Sequence, residues 1–376
     1  MTILLVLGGN FHTSIRQIEQ HASQFLAIYA RVVCFEYPQF VKLPKVVTGT
    51  LPLIEHISNN LTVFHSFGML PGGRTFHAIN RLNHAVTSQL LKITLGSSFD
   101  IVITYTPEYA LIAPHIKAKK VIYHVLDDYE SLPWWGLKNS SKNQLHSLEQ
   151  RMLQLVDRVI AVSPELYSKY KKHHPDVRLF PTPAYLKHYR SRRSHNVPDD
   201  MKDLPRPIIG FAGSATFVGK LATDLLKILI RSYPNFSFVF TGEYNNDIQS
   251  TLEKFKNCHF LGIKSLSVLP DYIADFDVCL VPYITSRYGM AAYPVKIMEY
   301  LFFGKPVVTT ALPSVEYLSK KKLIYWSRSQ NEFIRNVGRA VKEEMRDKKV
   351  VEARRRESFR NDWSERIRDY IRIIKG

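Results

Sequence analysis

The sequence has few cysteines and no long apolar run, and both features restrict what the protein can be. Only three cysteines occur in 376 residues, Cys34, Cys258 and Cys279, and none has the Cys-x-x-Cys spacing of a zinc or redox motif. This argues against a disulfide framework and indicates a reducing compartment, so we expect a cytoplasmic protein. No stretch approaches the roughly 20 apolar residues that a membrane-spanning helix needs. The apolar run after Met1 is shorter than a signal-peptide core and predicts a first strand.

Acidic residues are scarce relative to basic ones. The chain has 51 Lys and Arg against 33 Asp and Glu, which gives a net charge of +18. Such a charge favours phosphates, anionic lipid headgroups or nucleic acid as partners, although it can also be a solvated surface without function. We expect nucleic acid to be the least favoured of these partners. A peripheral association with the anionic inner face of the plasma membrane is a hypothesis that the charge motivates.

Strand-like runs alternate with segments long enough for crossover helices, which is typical of a parallel sheet wrapped by helices. The length exceeds what one hydrophobic core usually supports, so we expect two domains. The segment 178–206, rich in Pro, Ser and basic residues, is the predicted linker. The predicted strands are 3–7, 32–36, 61–64, 101–105, 121–126 and 158–162 before it, and 207–212, 236–241, 258–261, 278–281, 306–310 and 323–326 after it. The sequence therefore predicts an α/β fold of two doubly wound domains in tandem.

In an open parallel sheet, ligands bind in the loops at the carboxyl ends of the strands. The loop after the first predicted strand is Gly8-Gly9-Asn10. Its backbone N–H groups are positioned to bind a phosphate, although a Gly-Gly turn can equally be structural.

Two carboxylates, Asp127 and Asp128, follow the predicted strand 121–126, and Trp134 and Trp135 come shortly after them. Carboxylates can orient or deprotonate hydroxyl groups, and indole faces stack on sugars, so the segment favours a carbohydrate site. The alternative is an aspartate that caps the next helix.

The second half contains similar loops. Gly213 and Ser214 follow the strand 207–212 and suit a phosphate, and Lys264 follows the strand 258–261. The segment YPVKIMEYLFFGKPVVTT (293–310) predicts a helix, a turn at a glycine and a buried strand. Lys296 and Glu299 share one face of that helix, where they either contact a ligand or form an exposed ion pair worth about 0.2–0.5 kcal/mol.

The order and spacing of these motifs resemble GT-B fold glycosyltransferases of family 4, the group 1 type. The nearest likeness is to enzymes of bacterial cell-surface polysaccharide assembly, including teichuronic acid glycosyltransferases. The motifs that carry the resemblance are the Gly-Gly turn, RQIEQH (16–21), LPGGR (70–74), the Asp127-Asp128 segment, VIAVSP (159–164), LGIK (261–264) and PVKIMEYLFFGKPVV (294–308).

The resemblance implies an acceptor-binding domain at 1–190, a donor-binding domain at 191–355 and a C-terminal helix, 356–376, that packs back on the first domain. Transfer would take place in the cleft between the domains. The donor would be a nucleoside diphosphate sugar, acting as co-substrate without any other cofactor. The acceptor would be lipid-linked or a polysaccharide, and the anomeric configuration would be retained.

The resemblance also implies site residues. Glu299 would bind the ribose hydroxyls, Lys296, Gly213 and Ser214 would lie at the diphosphate, and Lys264 would lie near the nucleotide end. Asp127 or Asp128 would be the catalytic carboxylate facing the transferred sugar. The acceptor or phosphate loop would comprise Gly8, Gly9, Asn10 and Arg16.

The sequence departs from the family pattern just before the donor helix. Ala291 stands where many relatives have a first glutamate, and Tyr293 stands where they often have asparagine. Tyr293, Arg287 or a backbone N–H would then replace the usual contact with the donor sugar. Asp127-Asp128 is not an Asp-x-Asp motif, and basic groups can neutralise a leaving diphosphate, so we expect no metal.

The prediction from sequence is thus a hexosyltransferase-type glycosyltransferase that acts in cell-surface glycan synthesis. Two alternatives remain open at this point. One is a nucleotide-sugar epimerase on the same fold. The other is a non-catalytic basic protein that binds an anionic polymer, which the charge of +18 and Ala291 motivate.

Overall fold

The computed structural model describes residues 1–12, 18–36, 52–66, 70–72, 76–131, 139–190, 196–216, 220–342 and 347–376. It divides the chain into two compact units. The N-terminal unit comprises Met1–Pro181 together with Ile367–Gly376, and the C-terminal unit comprises Thr182–Arg366.

The unit boundaries differ from the predicted domain limits at 190 and 355. Residues after Pro181 pack in the C-terminal unit, because Ala184 pairs with Asp362 and the Tyr189 ring contacts Phe302. The chain returns to the N-terminal unit only at Ile367, in the middle of the last helix. Composition marks the linker region, but only packing shows on which unit each of its residues lies.

The N-terminal unit contains an eight-stranded sheet in the order β3-β4-β2-β1-β5-β6-β7-β8. All neighbouring strands are parallel except β3 and β4, which are antiparallel. The strands are β1 (Thr2–Val6), β2 (Arg31–Phe35), β3 (Ile54–Ser58), β4 (Leu61–Phe64), β5 (Ser98–Thr104), β6 (Lys117–Val125), β7 (Arg158–Ala161) and β8 (Val177–Leu179). The described helices are α1 (Ile18–Leu26), α2 (His77–Leu95), α3 (Tyr109–Ile112), α4 (Asn139–Leu155) and α5 (Pro164–Tyr170), with a 3-10 helix at Ala113–His115.

The C-terminal unit contains a six-stranded parallel sheet in the order β11-β10-β9-β12-β13-β14. Its strands are β9 (Ile208–Ala212), β10 (Ser237–Thr241), β11 (Cys258–Gly262), β12 (Val278–Val281), β13 (Val307–Thr310) and β14 (Tyr325–Ser327). Numbered within the unit, this order is 3-2-1-4-5-6, the doubly wound arrangement whose ligand crevice lies beside the first strand. Here the first strand is β9.

The described helices of this part of the chain are α6 (Lys187–Arg190), α7 (Thr223–Ser232), α8 (Asn246–Leu252), α9 (Leu269–Asp275), α10 (Arg287–Ala291), α11 (Lys296–Phe302), α12 (Glu316–Lys320), α13 (Gln330–Lys342), α14 (Lys348–Arg360) and α15 (Trp363–Lys375). Two 3-10 helices, Asp199–Met201 and Pro313–Val315, complete the described elements. Strands β9, β10, β12 and β13 are buried along their whole length, as their unbroken apolar or β-branched sequences predict. None of the helices in the described ranges is both long and apolar enough to cross a membrane.

Candidate functional site

The centre of the candidate site is the turn that follows β9. Gly213 has φ +144°, a conformation that favours glycine, and its N–H donates to the Thr241 carbonyl at the end of β10. The next strand also ends in a glycine, Gly242, and a Cβ at that position would lie 2.5 Å from the Gly213 oxygen. The two glycines therefore let the strand-end turns of β9 and β10 pack directly on each other.

The Lys296 side chain reaches this turn from α11. A Cβ at Gly213 would lie 2.2 Å from Lys296 Nζ, so a larger residue at this turn would displace the ammonium. The ammonium also lies 3.8 Å from the centre of the Phe211 ring and 5.5 Å from that of Tyr283. Within the described residues, no oxygen forms an ion pair or a hydrogen bond with Nζ. The positive charge is thus held by aromatic faces instead of a carboxylate.

A second lysine approaches the same turn. Lys220 Nζ donates to the Ser214 carbonyl at 3.0 Å and lies 5.8 Å from the centre of the Tyr283 ring. Burial and the charge of Lys220 hold the pKa of Lys296 well below its usual value, and Glu299 opposes this effect only weakly. Two neighbouring cations that each repel the other are stabilised by an anion placed between them.

The Ser214 side chain lies at the same turn and contacts the backbone that follows β10. Its hydroxyl oxygen accepts from the Glu243 N–H at 3.2 Å, so its own hydrogen is available for donation to a ligand. Gly213 and Ser214 are both partly exposed. The predicted group of Gly213, Ser214 and Lys296 is therefore brought together, and Lys220 joins it.

Glu299 lies one turn after Lys296 on α11 and is half-buried. No ion pair joins the two side chains within the described contacts, so the predicted alternative of an i,i+3 salt bridge is wrong. The carboxylate instead interacts with the Tyr189 hydroxyl, and burial raises the pKa of Glu299. Tyr189 packs against Phe302 and Phe303 and is nearly buried, so it fixes the orientation of the Glu299 side chain.

Helix α11 is fastened to the end of β9 by Tyr300. The Tyr300 hydroxyl accepts from the Ala212 N–H at 2.8 Å and contacts the Ala212 carbonyl oxygen at 3.3 Å. Tyr300 is fully buried. This anchor sets the distance between the Gly213 turn and the helix that carries Lys296 and Glu299.

Lys264 lies two residues after β11 and is engaged with protein groups. Its ammonium forms an ion pair with Asp200 at 2.7 Å and lies 4.7 Å from the centre of the Tyr272 ring. Asp200 and Tyr272 line a cavity of about 720 Å³ together with Asn196, Val197, Pro198, Asp199, Lys202, Val268 and Asp271. A nucleotide that bound the Lys264 ammonium would have to share that ammonium with the Asp200 carboxylate.

The residues proposed to contact the donor sugar are not equally accessible. The Tyr293 hydroxyl lies 3.4 Å from that of Tyr317, and the side chain is nearly buried. Arg287 is exposed at the start of α10, after the helix cap at Ser286. Ala291, at the end of α10, is buried. Of the two side chains predicted to replace the missing glutamate, Arg287 is the accessible one.

In the N-terminal unit, the Gly8 N–H is already bound by a carboxylate. It donates to both oxygens of Glu19, at 3.2 and 3.4 Å. Burial raises the pKa of Glu19 to about 7, although the Gly8 hydrogen bond lowers it. An anionic phosphate at Gly8 would have to displace Glu19, so this N–H is a poor phosphate donor. Gly9 is less hindered, since no atom of the described residues lies within 4 Å of the position that its Cβ would take.

Of the remaining residues predicted for sites in the N-terminal unit, Asn10 is described by the structure and several others are not. The Asn10 carbonyl accepts from Gln20 Nε2 at 2.9 Å, which fastens the loop to α1. Arg16, Trp134 and Trp135 lie outside the described residues, as does part of the LPGGR motif.

The two predicted catalytic carboxylates differ in environment. Asp128 is buried and forms an ion pair with Lys169 on α5 at 2.7 Å, and Lys169 also binds Glu130 at 3.0 Å. Asp127 is half-buried. Asp128 therefore ties the loop after β6 to α5, and Asp127 is the more accessible of the pair.

Sequence reasoning did not identify several residues that form the site in the C-terminal unit. Lys220 and Tyr189 lie in segments interpreted as a helix start and a linker, and Phe211 and Tyr283 have the pattern of core residues. Their roles arise from strand order, since the ends of β9 and β12 are neighbours only in the folded sheet. Gly242, which directly follows β10, could have been identified from the sequence, because a glycine directly after a predicted strand matches the pattern of Gly213.

Part of the chain matches known sequences. Residues 206–343 match the family described as glycosyl transferases group 1. A putative teichuronic acid biosynthesis glycosyltransferase, TuaH of Bacillus subtilis strain 168, is 31% identical over 116 residues, which are 30% of this chain and 29% of that protein. The chain thus matches less than a third of the curated relative's length.

Solved structures resemble almost the whole chain. Sucrose-phosphate synthase from Thermosynechococcus elongatus has a TM-score of 0.74 at 13% identity, covering 96% of this chain and 95% of that one. Anabaena Alr3699/HepE in complex with UDP-glucose has a TM-score of 0.65 at 14% identity, covering 96% of each chain. These neighbours are GT-B glycosyltransferases, so the predicted fold class is confirmed. Residues 206–343, which contain the Gly213 turn and α11, match the model of the group 1 glycosyl transferases, and the chain as a whole has the GT-B fold.

Proposed function

We propose that the protein is a glycosyltransferase and that its C-terminal unit binds a nucleoside diphosphate sugar as donor. The observation that carries this proposal is the position of Lys296, whose ammonium lies against the Gly213 turn with Lys220 nearby and with no carboxylate of the described residues in ion-pair contact. A diphosphate would place negative charge beside these two cations. The family match of 206–343 and the UDP-glucose bound to a neighbour of the same fold support the choice of ligand.

The remaining groups are distributed as a nucleotide sugar requires. Ser214 can donate its hydroxyl hydrogen to a phosphate oxygen, and Glu299, oriented by Tyr189, can accept hydrogen bonds from the two ribose hydroxyls. Arg287 is the accessible candidate for the sugar or its leaving phosphate. Lys220 and Lys296 would stabilise the charge that develops on the departing diphosphate, which is the largest electrostatic demand of glycosyl transfer.

Titration calorimetry with UDP-glucose tests the donor site. We expect Lys296→Met to weaken binding about 10- to 100-fold, because a hydrogen bond to a charged group contributes about 1.5–3 kcal/mol. Lys227→Met is the matched control, since Lys227 lies on the surface of α7 in an i,i+3 ion pair with Asp224. Equal affinities of the wild type and the Lys296 variant would overturn the proposal. Thermal-shift screening of other nucleoside diphosphate sugars identifies the preferred base and sugar.

Incubation with donor in the absence of acceptor distinguishes transfer from epimerisation. A glycosyltransferase leaves the donor unchanged or hydrolyses it slowly, whereas an epimerase interconverts two nucleotide sugars. In a second incubation that contains candidate acceptors, a protein that binds UDP-glucose but neither transfers nor hydrolyses it would match the non-catalytic alternative.

We further propose a lipid-linked or polysaccharide acceptor of the cell surface, with Asp127 as the carboxylate that faces it and with retention of the anomeric configuration. The likeness to a teichuronic acid glycosyltransferase supports the acceptor class. The net charge of +18 supports a peripheral association with anionic lipid. Asp127→Asn is expected to lower the turnover number without changing UDP-glucose affinity. Proton NMR of the first product formed reports its anomeric configuration.

Flotation with vesicles tests the membrane association. We expect binding to vesicles that contain anionic lipid at low salt and its loss at high salt, because a surface charge is screened within about 8 Å at physiological ionic strength. Vesicles of neutral phosphatidylcholine are the control. Absence of binding to anionic vesicles at low salt would contradict the membrane proposal and leave the donor site unaffected.

A further inference from the structure

Two histidines and a glutamate converge in the N-terminal unit, and one of them, His12, lies two residues after Asn10 of the candidate loop. His12 Nε2 lies 2.7 Å from Glu55 Oε2, and His65 Nε2 lies 2.8 Å from the same oxygen. The imidazole rings of His12 and His65 are stacked, with centres 5.9 Å apart. The ligand-type atoms of these residues all lie within 4.8 Å of one another.

The cluster is assembled by three separate strands. His12 lies in the loop after β1, His65 directly follows β4, and Glu55 lies at the start of β3. Because β3 runs antiparallel to β4, its beginning lies at the same edge of the sheet as the carboxyl ends of the parallel strands. The backbone N–H of His65 donates to the Leu53 carbonyl at 2.9 Å, which fixes the backbone at His65 next to the start of β3.

A buried carboxylate orients the buried histidine. Glu36 and His65 are both almost completely inaccessible, and His65 Nδ1 lies 3.1 Å from Glu36 Oε2. The other oxygen of Glu36 accepts from the Phe11 N–H at 2.6 Å. Histidines that bind metals usually donate their second N–H to such a carboxylate, which directs the lone pair of the first nitrogen at the metal.

A neutral His65 has carboxylates beside both ring nitrogens but can donate to only one of them. A neutral imidazole has a single N–H, and if His65 donates it from Nδ1 to Glu36, the Nε2 lone pair faces the Glu55 oxygen. Two lone pairs at 2.8 Å repel each other unless a positive charge lies between or beside them. The Glu55 carboxylate also brings a negative charge to the cluster, which a divalent ion would neutralise.

We propose that His12, Glu55 and His65 bind a divalent first-row transition metal, with Zn²⁺ as the ion to test first. Two imidazole nitrogens and one carboxylate oxygen form a three-ligand set that Zn²⁺ accepts, leaving a fourth position for water or another oxygen ligand. His12 is half-exposed, so this position is open to solvent. Glu36 acts as a positioning residue for His65.

The metal would need only a small adjustment of the cluster. Zinc bonds of about 2.0–2.1 Å place tetrahedral ligand atoms roughly 3.3 Å apart, somewhat further than the contacts with the Glu55 oxygen. His12 lies in a loop and can move outward by this amount. The bound ion would tie the loop that contains Gly9 and Asn10 to the β3–β4 edge of the sheet.

Zinc titration of the EDTA-treated full chain, after removal of any purification tag, tests the site. Competition with a chromophoric chelator at pH 7.5 is expected to show one tightly bound zinc per chain. Zinc at 100-fold above its dissociation constant is expected to raise the Tm of the N-terminal unit by about 5–10 °C. Ni²⁺, Cu²⁺ and Mn²⁺ in the same assay report the metal preference, for which Mn²⁺ should be the weakest.

Variants separate this site from adventitious binding, since the chain has 14 histidines. His12→Gln and Glu55→Gln are expected to weaken zinc at least tenfold, and both leave the buried His65 in place. His56→Gln is the matched control, because His56 is adjacent to Glu55 on β3 but contacts Thr62 instead. Zinc affinity that is unchanged in His12→Gln overturns the proposal. Failure of the wild type to bind zinc also overturns it and indicates that a proton is the only cation of the cluster.

Discussion

Glu19 is the residue whose ionisation should be visible in the stability of the N-terminal unit. It is 2% exposed, its carboxylate accepts from the Gly8 N–H, and burial raises its pKa from the ordinary 4.5 to about 7. A folded-state pKa above the unfolded value stabilises the fold fully below pH 4.5, and this contribution is lost as the pH rises through about 7. The difference corresponds to about 3 kcal/mol.

Glu19→Gln should remove that pH dependence. The amide has the same shape and can accept the Gly8 hydrogen bond, but it does not ionise. We therefore expect the variant to be more stable than the wild type at pH 8, by up to about 3 kcal/mol, and to differ little from it near pH 4.5. Urea unfolding across this range measures the effect. Glu316→Gln, which changes the same charge at an exposed ion pair, is the control. Parallel pH profiles for wild type and Glu19→Gln would contradict the assignment.

Lys296 should link donor binding to proton uptake. Its pKa in the free protein is depressed by burial and by Lys220, and a bound diphosphate would raise it by adding negative charge. At a pH between the pKa of Lys296 in the free protein and its pKa in the complex, donor binding takes up a proton. The affinity for the donor therefore falls as the pH rises through this range. Calorimetry of UDP-glucose in buffers with different ionisation enthalpies measures the uptake directly, since a diphosphate diester has no ionisation of its own near neutral pH. Lys296→Met should abolish it, and an unchanged proton count in that variant would refute the linkage.

Single residues show how far the site could be predicted from sequence. Gly213, Ser214, Lys296 and Glu299 were identified because each follows or accompanies a strand end with a recognisable local pattern. Tyr189 could not be identified, because its contact with Glu299 joins positions more than 100 residues apart and the sequence around it is polar and basic. His12, Glu55 and His65 have no motif spacing, and only the antiparallel pairing of β3 and β4 brings them together.

At the scale of elements, the buried strands were predicted from sequence and the exposed ones were not. The runs at 278–281 and 61–64 match β12 and β4 residue for residue, because both are entirely buried and apolar or β-branched. Strand β3, IEHIS, is half-exposed to exposed, and β8 is only three residues long with two of them exposed. Both are edge strands, so hydrophobic pattern carries little information about them.

The packing of α9 against β9 depends on one glycine. A Cβ at Gly210 would lie 2.1 Å from the ring of Phe276, which directly follows α9 and is fully buried. Gly210→Ala should therefore destabilise the C-terminal unit by about 1–3 kcal/mol, because the ring can move only by displacing other core atoms. Urea unfolding monitors the change. Gly9→Ala is the control, since no atom in the described part of the chain lies within 4 Å of the added carbon, and a similar loss in both variants would contradict the packing argument.

At the scale of the whole molecule, the chain forms the N-terminal unit from two distant pieces. Residues 367–376 complete a unit that otherwise ends at Pro181, so the entire C-terminal unit is inserted between them. Ile367, Tyr370 and Ile374 are buried. The Tyr370 hydroxyl lies 3.0 Å from His124 Nδ1, and the Ile373 carbonyl accepts from Arg158. The last ten residues are therefore part of the N-terminal core.

Deletion of residues 367–376 should unfold or severely destabilise the N-terminal unit. Burial of one large apolar side chain contributes about 1.5–3 kcal/mol, so the loss of three is comparable with the stability of a typical domain. Tyr370→Phe should cost about 1–3 kcal/mol, because His124 loses a hydrogen-bond partner in a buried position.

Circular dichroism during urea unfolding and limited proteolysis measure both effects. The control is Arg372→Ala, which removes an exposed side chain of the same segment and should change stability by no more than about 0.5 kcal/mol. A truncated chain that unfolds at the wild-type midpoint would show that the N-terminal unit is complete without its last helix. Retention of UDP-glucose binding by the truncated chain would show that the C-terminal unit folds without its partner, because every proposed donor-binding residue lies between 182 and 366.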